Sequence, residues 1–131
     1  MKNLLIALIV IIFGSSQVIS QQAPDFTAKD IEGKEHNLYQ YLGSGKFVLL
    51  DFFASYWGFC ARVVGSLNQV FEQYGDNKKN LVVLGVSLLP VDNQERIEKF
   101  RKDNNGQYPK IEGTKYGAEI LGFTHLFWEI G

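Results

Sequence analysis

Cys60 is the single thiol among 131 residues, and its setting, Ser55-Tyr56-Trp57-Gly58-Phe59-Cys60, decides what chemistry the chain can attempt. One cysteine excludes an intramolecular disulfide and a cysteine-based structural zinc site. A lone thiol can still act as a nucleophile in its thiolate form. Cys60 is expected in the first turn of a helix, where unpaired backbone N–H groups and the helix dipole favour that form. Arg62, two residues on, adds positive potential. Trp57 and Phe59 oppose this with apolar bulk, since burial disfavours the charged thiolate. A buried, inert cysteine is the plainer reading of the same residues.

Asp51 is the second residue with chemical potential, because it interrupts the apolar run Phe47-Val48-Leu49-Leu50-Asp51-Phe52-Phe53-Ala54. It is either a buried acid kept for a purpose or a residue at the strand's wet side, since a buried carboxyl without a partner is costly. His36 and His125 are the only histidines. A His125–Cys60 pair would activate the thiol, but a lone histidine beside a strand needs no role. Two histidines and one cysteine far apart assign no metal ligand, and no cofactor is implied. Gly43-Ser44-Gly45-Lys46 lacks the spacing of a phosphate-binding loop. Lys99, Arg101 and Lys102 with Glu95 and Glu98 form a solvated helix face. With 13 basic against 14 acidic side chains, the formal charge of −1 gives no reason to expect nucleic acid as a partner.

These residues must be positioned by a fold that 46% apolar and 21% charged residues can support, and the length suits one domain. Residues 1–20 are read as an address. Lys2 precedes the apolar run Leu4 to Phe13, then Gly14-Ser15-Ser16-Gln17 follows. Crossing a bilayer takes roughly 20 apolar residues, so the run fits a secretory signal peptide cleaved after Ser20. Residues 21–131 then form an exported domain that meets a membrane only through an uncleaved leader. In an oxidising compartment an unpaired cysteine is buried, bonded to another molecule, or reactive.

Within that domain, Asp30-Ile31-Glu32-Gly33-Lys34 is a turn between two short extended pieces, and Asn37 to Leu42 is one helical turn. Phe47–Ala54 and Leu81–Ser87 read as strands buried in a parallel sheet. Val63, Val64, Leu67, Val70, Phe71 and Tyr74 line one face of a helix from Gly58 to Tyr74, stopped by Gly75. Asp92, with Glu95 three residues on, is expected to cap a helix carrying Ile97 and Phe100 and ending at Gly106. Phe123 to Ile130 reads as a last strand. Strands alternating with helices imply a three-layer α/β sandwich.

Ala23-Pro24-Asp25-Phe26, the strand Val48 to Ser55 and the loop Tyr56 to Cys60 together resemble the exported thioredoxin-like proteins of the TlpA/ResA and AhpC/TSA group. The likeness continues through Leu84-Gly85-Val86-Ser87 and Tyr116-Gly117 to Phe123-Thr124-His125-Leu126-Phe127. It implies a thioredoxin-like α/β/α sandwich, shortened by its last strand and helix because the chain stops at Gly131. It also implies a role in redox homeostasis in the periplasm or cell envelope of a bacterium. The group's Cys-x-x-Cys motif falls on Trp57 and Cys60, with Phe59 where proline usually precedes the second cysteine. Thr124 stands in for the cis-proline that faces the dithiol, and Asp51 coincides with the buried acid that serves as proton relay.

Dithiol exchange needs one sulfur to attack and one to resolve, so the resemblance implies an exchange cycle lost within the chain. What is left to Cys60 is monothiol chemistry, a mixed disulfide with an envelope protein thiol or peptide. The peroxiredoxin signature Pro-x-x-x-Thr-x-x-Cys falls on Phe53, Trp57 and Cys60, keeping only the cysteine, so a one-Cys peroxidase activity is a third reading. A reading from another class is a non-catalytic peptide- or protein-binding module, with Trp57, Phe59, Phe123 and Trp128 as an apolar patch beside Thr124. An unpaired sheet edge near Phe127 and Trp128 would also invite self-association.

Overall fold

The computed structural model describes residues 22–116. The chain opens with β1 (Thr27–Lys29) and β2 (Glu35–Asn37), paired antiparallel with Ala28 opposite His36. Asp30 shapes the turn between them: its Oδ1 accepts the N–H groups of Glu32 and Lys34 at 3.0 and 2.9 Å. Gly33, at φ +89°, provides the left-handed step. Asn37 then caps α1 (Leu38–Gly43) by accepting the Gln40 N–H at 2.7 Å.

The sheet follows: β3 (Phe47–Phe53), α2 (Gly58–Gln73), β4 (Leu81–Ser87), α3 (Gln94–Asp103) and β5 (Lys110–Glu112), then a 3-10 turn at Gly113–Tyr116. The strands lie in the order β3-β4-β5, all parallel, as the two apolar runs predict. The pairing sets Asp51 beside Gly85 and Gly85 beside Lys110, so these three residues form one row across the sheet.

Side chains alternate across β4, as a pleated strand requires. Val82, Leu84 and Val86 meet Phe26, Ala28, Leu38 and Ile111 on the hairpin side. Val83 joins Phe53, Cys60, Val64, Ile97, Phe100 and Tyr108 on the side of α2 and α3. The result is the expected three layers, hairpin with α1, sheet, and helices. Both faces of β4 are covered, whereas most of β3 is only half-buried.

Several local expectations are corrected. Asp92 does not cap α3. That task falls to Asn93, whose side chain accepts the Arg96 N–H at 3.0 Å. Asp92 is fully buried and accepts from the Ser55 N–H at 2.9 Å, the Ser55 hydroxyl, and the Ser87 hydroxyl at 2.7 Å. Both residue types cap helices well, but only a carboxylate can satisfy three converging donors. Gly106 does not end α3 either; the chain turns at Asn105, with φ 54°. By contrast, Gly75 sits just past α2 at φ +72°. Strand β5 was not anticipated at all. The leader and the expected strand from Phe123 to Ile130 lie outside the described residues.

Candidate functional site: Cys60 and the buried acid–amine pair of the sheet

The loop after β3 is fastened from below. Asp92 holds the backbone and hydroxyl of Ser55, and the Ala54 carbonyl accepts the Trp57 N–H at 3.1 Å. Trp57 occupies the cap position of α2, where no side chain satisfies the first-turn N–H groups and no acid stands in that turn. Cys60, third in the helix, therefore sits where the dipole is most positive. Its N–H bonds the Trp57 carbonyl at 2.9 Å. The residue is 7% exposed and packs among Phe53, Val64, Phe100 and Tyr108.

The residues around it point the other way. Tyr56, Trp57 and Phe59 are 67%, 64% and 62% exposed, a large apolar surface for one short loop. The Arg62 guanidinium lies 5.4 Å from the Phe59 ring centroid. A shallow groove of about 370 Å³ runs from Ser55 and Tyr56 to Arg96, Lys99 and Asp103 on α3.

Asp51 does not face water. Its side chain is 13% exposed, and its Oδ2 accepts the Tyr108 hydroxyl at 2.7 Å. The Lys110 ammonium lies 4.0 Å from the same oxygen and is wholly buried. Nζ has no hydrogen-bond partner, and instead stands 3.1 Å from the Tyr108 ring centroid and 5.2 Å from that of Phe53. Gly85 makes room for this: a Cβ there would come within 2.6 Å of Lys110 Cδ. Burial is the main force on the amine, pushing its pKa down to about 7. Asp51 and Cys60 pull it upward, and Arg101 on α3 adds to the fall. Burial, then the bond to Asp51, drives the Tyr108 hydroxyl far above its ordinary value.

Of the sequence-derived site residues, Cys60, Trp57, Phe59 and Asp51 lie at this end of β3 and α2, while Phe123 and Thr124, with His125 and Trp128, fall outside the described residues. His36 is not alone: its ring nitrogens meet Asp30 Oδ2 and the Tyr41 hydroxyl, each at 2.8 Å, in the hairpin layer. Tyr108 and Lys110 were missed. Nothing in Tyr-Pro-Lys-Ile-Glu marks a buried lysine, and the only signal available was Gly85 inside an apolar strand, a common sign of close approach by a neighbour. Among the described residues no three His, Cys, Asp or Glu side chains group closely enough to hold a metal.

Comparison with known proteins fits this geometry. A thiol-disulfide oxidoreductase ResA from Geobacillus thermodenitrificans is 32% identical over 93 residues, which cover 71% of this chain and 50% of the relative. The chain thus spans about half the length of the curated relatives it matches. Two solved structures share the fold. The thioredoxin domain of a thiol-disulfide oxidoreductase from Bacteroides vulgatus superposes with a TM-score of 0.62 at 21% identity, covering 82% of this chain and 73% of that one. A thiol-disulfide oxidoreductase from Bacteroides fragilis gives 0.61 at 21% identity, covering 78% and 73%. The fold is thioredoxin-like, and a family model matches residues 19–122, so the chain belongs to the AhpC/TSA family.

Proposed function

We propose that this protein is an exported, thioredoxin-like member of the thiol–disulfide oxidoreductase relatives that has given up dithiol exchange and retains monothiol chemistry at Cys60. The observation that carries the reading is the place of Cys60: a lone thiol in the first turn of α2, at a helix terminus with no side-chain cap. The residue three positions earlier, where a partner sulfur would be needed for exchange, is Trp57. The thiolate attacks one sulfur of a substrate disulfide, forming the Cys60 mixed disulfide and releasing the other sulfur as a thiolate. Return to the free thiol then needs a thiol from another molecule, and the substrate class is an envelope protein or peptide disulfide. Export rests on the leader-like residues 1–20.

The test is incubation of the native full chain with a cystine-containing peptide, followed by intact-mass analysis. One adduct at Cys60, no catalytic reduction of insulin, and no adduct in Cys60→Ser are expected. Absence of any adduct until the chain is unfolded overturns the reading.

A second reading has its own support in the exposed Tyr56, Trp57 and Phe59 and the adjoining groove. There the loop is a docking surface for an apolar peptide segment, and Cys60 is packing. Trp57→Ala then abolishes binding, and Cys60→Ser leaves it intact.

A further inference from the structure

The turn that ends α3 is closed by a residue with a chemistry of its own. Asn105 and Gly106 form the only Asn-Gly pair in the chain. Asn105 takes the left-handed position just past the helix, at φ 54°, where asparagine is tolerated better than most residues. Two backbone bonds close the stop: the Asn105 N–H donates to the Lys102 carbonyl at 3.2 Å, and the Gly106 N–H to the Arg101 carbonyl at 2.8 Å. α2 then grips the same turn. The Asn68 amide donates to the Asn105 carbonyl at 2.8 Å, and its oxygen accepts the Gln107 N–H at 2.9 Å, so one side chain holds the Asn-Gly bond from both sides. Asn105 is exposed, whereas Gly106 and Asn68 are buried.

We propose that Asn105 is a site of spontaneous deamidation and that the Asn68 clamp sets its rate. The Gly106 nitrogen attacks Asn105 Cγ. A C–N bond forms, the Cγ–Nδ2 bond breaks, and Nδ2 leaves as ammonia, which takes up the proton given up by the Gly106 nitrogen. Water then opens the succinimide ring at either carbonyl, leaving aspartate or isoaspartate, with no electrons exchanged. Glycine suits the attacking position because it carries no side chain to crowd ring closure. The obstacle in the folded chain is its proton, which is committed to the Arg101 carbonyl while Asn68 fixes the backbone on either side. The nitrogen is freed only when the turn opens locally. Exposure of Asn105 then admits water and lets ammonia leave. The product turn is looser than the original. Aspartate at this position sets a negative charge at the C-terminal end of α3, where the helix dipole and nearby Asp103 disfavour it. Isoaspartate lengthens the main chain by one methylene, so the two backbone bonds and the two Asn68 bonds no longer close together. This inference is independent of the chemistry assigned to Cys60.

The test follows deamidation of the full chain in mildly alkaline buffer, by peptide mapping and isoaspartate assay, both folded and in guanidinium chloride. In denaturant Asn105 is expected to react ahead of every other asparagine, because each of the others precedes a residue that carries a side chain. The folded chain is expected to react at least about tenfold more slowly, as the loss of roughly two hydrogen bonds on opening implies. Asn68→Ala, checked as folded by its urea midpoint, is expected to close most of that gap. Asn68→Asp keeps the acceptor for the Gln107 N–H and is expected to fall between, and it carries the comparison should the alanine variant fail to fold. Equal rates in the folded and unfolded chains overturn the proposal, as does an Asn105 with no lead over other asparagines in denaturant. A folded Asn68 variant that reacts no faster than the unaltered chain overturns the role of the clamp.

Discussion

The hairpin and the sheet each bury a carboxylate beside a nitrogen base and a tyrosine, yet they treat it differently. In the hairpin, Asp30 spends both oxygens: Oδ1 on two backbone N–H groups of its own turn and Oδ2 on His36, which also meets Tyr41. Every group has a partner at hydrogen-bond distance. In the sheet, Asp51 has Tyr108, but the nitrogen that faces it stands off at 4.0 Å with no hydrogen bond. A satisfied buried network stiffens a fold, and an unsatisfied one costs stability that packing alone would not demand. The difference separates a fully partnered cluster from one that leaves a buried amine without a hydrogen bond.

The largest effect is expected from breaking the satisfied network. Asp30→Ala strands His36 and opens the β1–β2 turn, so urea unfolding should show a loss of about 3–5 kcal/mol. Lys110→Met is the contrasting change. The amine gives up no hydrogen bond and Asp51 keeps the Tyr108 hydroxyl, so the same assay at pH 7 should show a loss well below that of Asp30→Ala. A loss as large as that of Asp30→Ala would erase the distinction between the two clusters.

The pH dependence of stability sharpens the contrast further. The unfolded chain holds the lysine proton up to about 10.4, whereas folded Lys110 releases it near 7. Between those values the unfolded state binds more protons, so stability rises with pH, by about 1.4 kcal/mol per unit from this group. Below about 7 both states are protonated and the group contributes no slope. Lys110→Met should remove that rise, which thermal unfolding at a series of pH values would report.

Gly85→Ala pushes a Cβ to within 2.6 Å of Lys110 Cδ and 3.2 Å of Tyr108 Cε2, and should cost about 1–3 kcal/mol. A double-mutant cycle with Lys110→Ala should recover at least about 0.5 kcal/mol of it. Additivity would mean that Tyr108, not the lysine, needs the gap. Trp57→Ala should be the mildest, within about 0.5 kcal/mol in unfolding, because the ring is mostly in solvent. On the docking-surface reading, its effect falls on peptide binding instead.

Much of the architecture was readable before any coordinates. The apolar runs Phe47–Phe53 and Leu81–Ser87 announced parallel strands, and the three- and four-residue spacing from Val63 to Phe71 announced α2, because burial forces those periods on a chain. Similar runs did not mean similar burial. β4 is covered on both faces and paired on both edges, while β3 has one strand neighbour among the described residues and is mostly half-buried. Asp92 and Asn93 were indistinguishable as caps, since either side chain can accept the same N–H.

What the sequence determined by itself is local and compositional: the single thiol at the head of a helix, the strand and helix periods, and an acid set within an apolar run. Tertiary structure alone decided what that acid meets. Lys110 lies 59 positions beyond Asp51 in a segment with no distinguishing pattern, and only the β3-β4-β5 order, with a glycine in the middle strand, brings amine and carboxylate into one row. Periodicity reports whether a residue is buried, because burial is an average over a whole face. Charge pairing is a contact between two particular atoms, and that depends on register across strands distant in the chain.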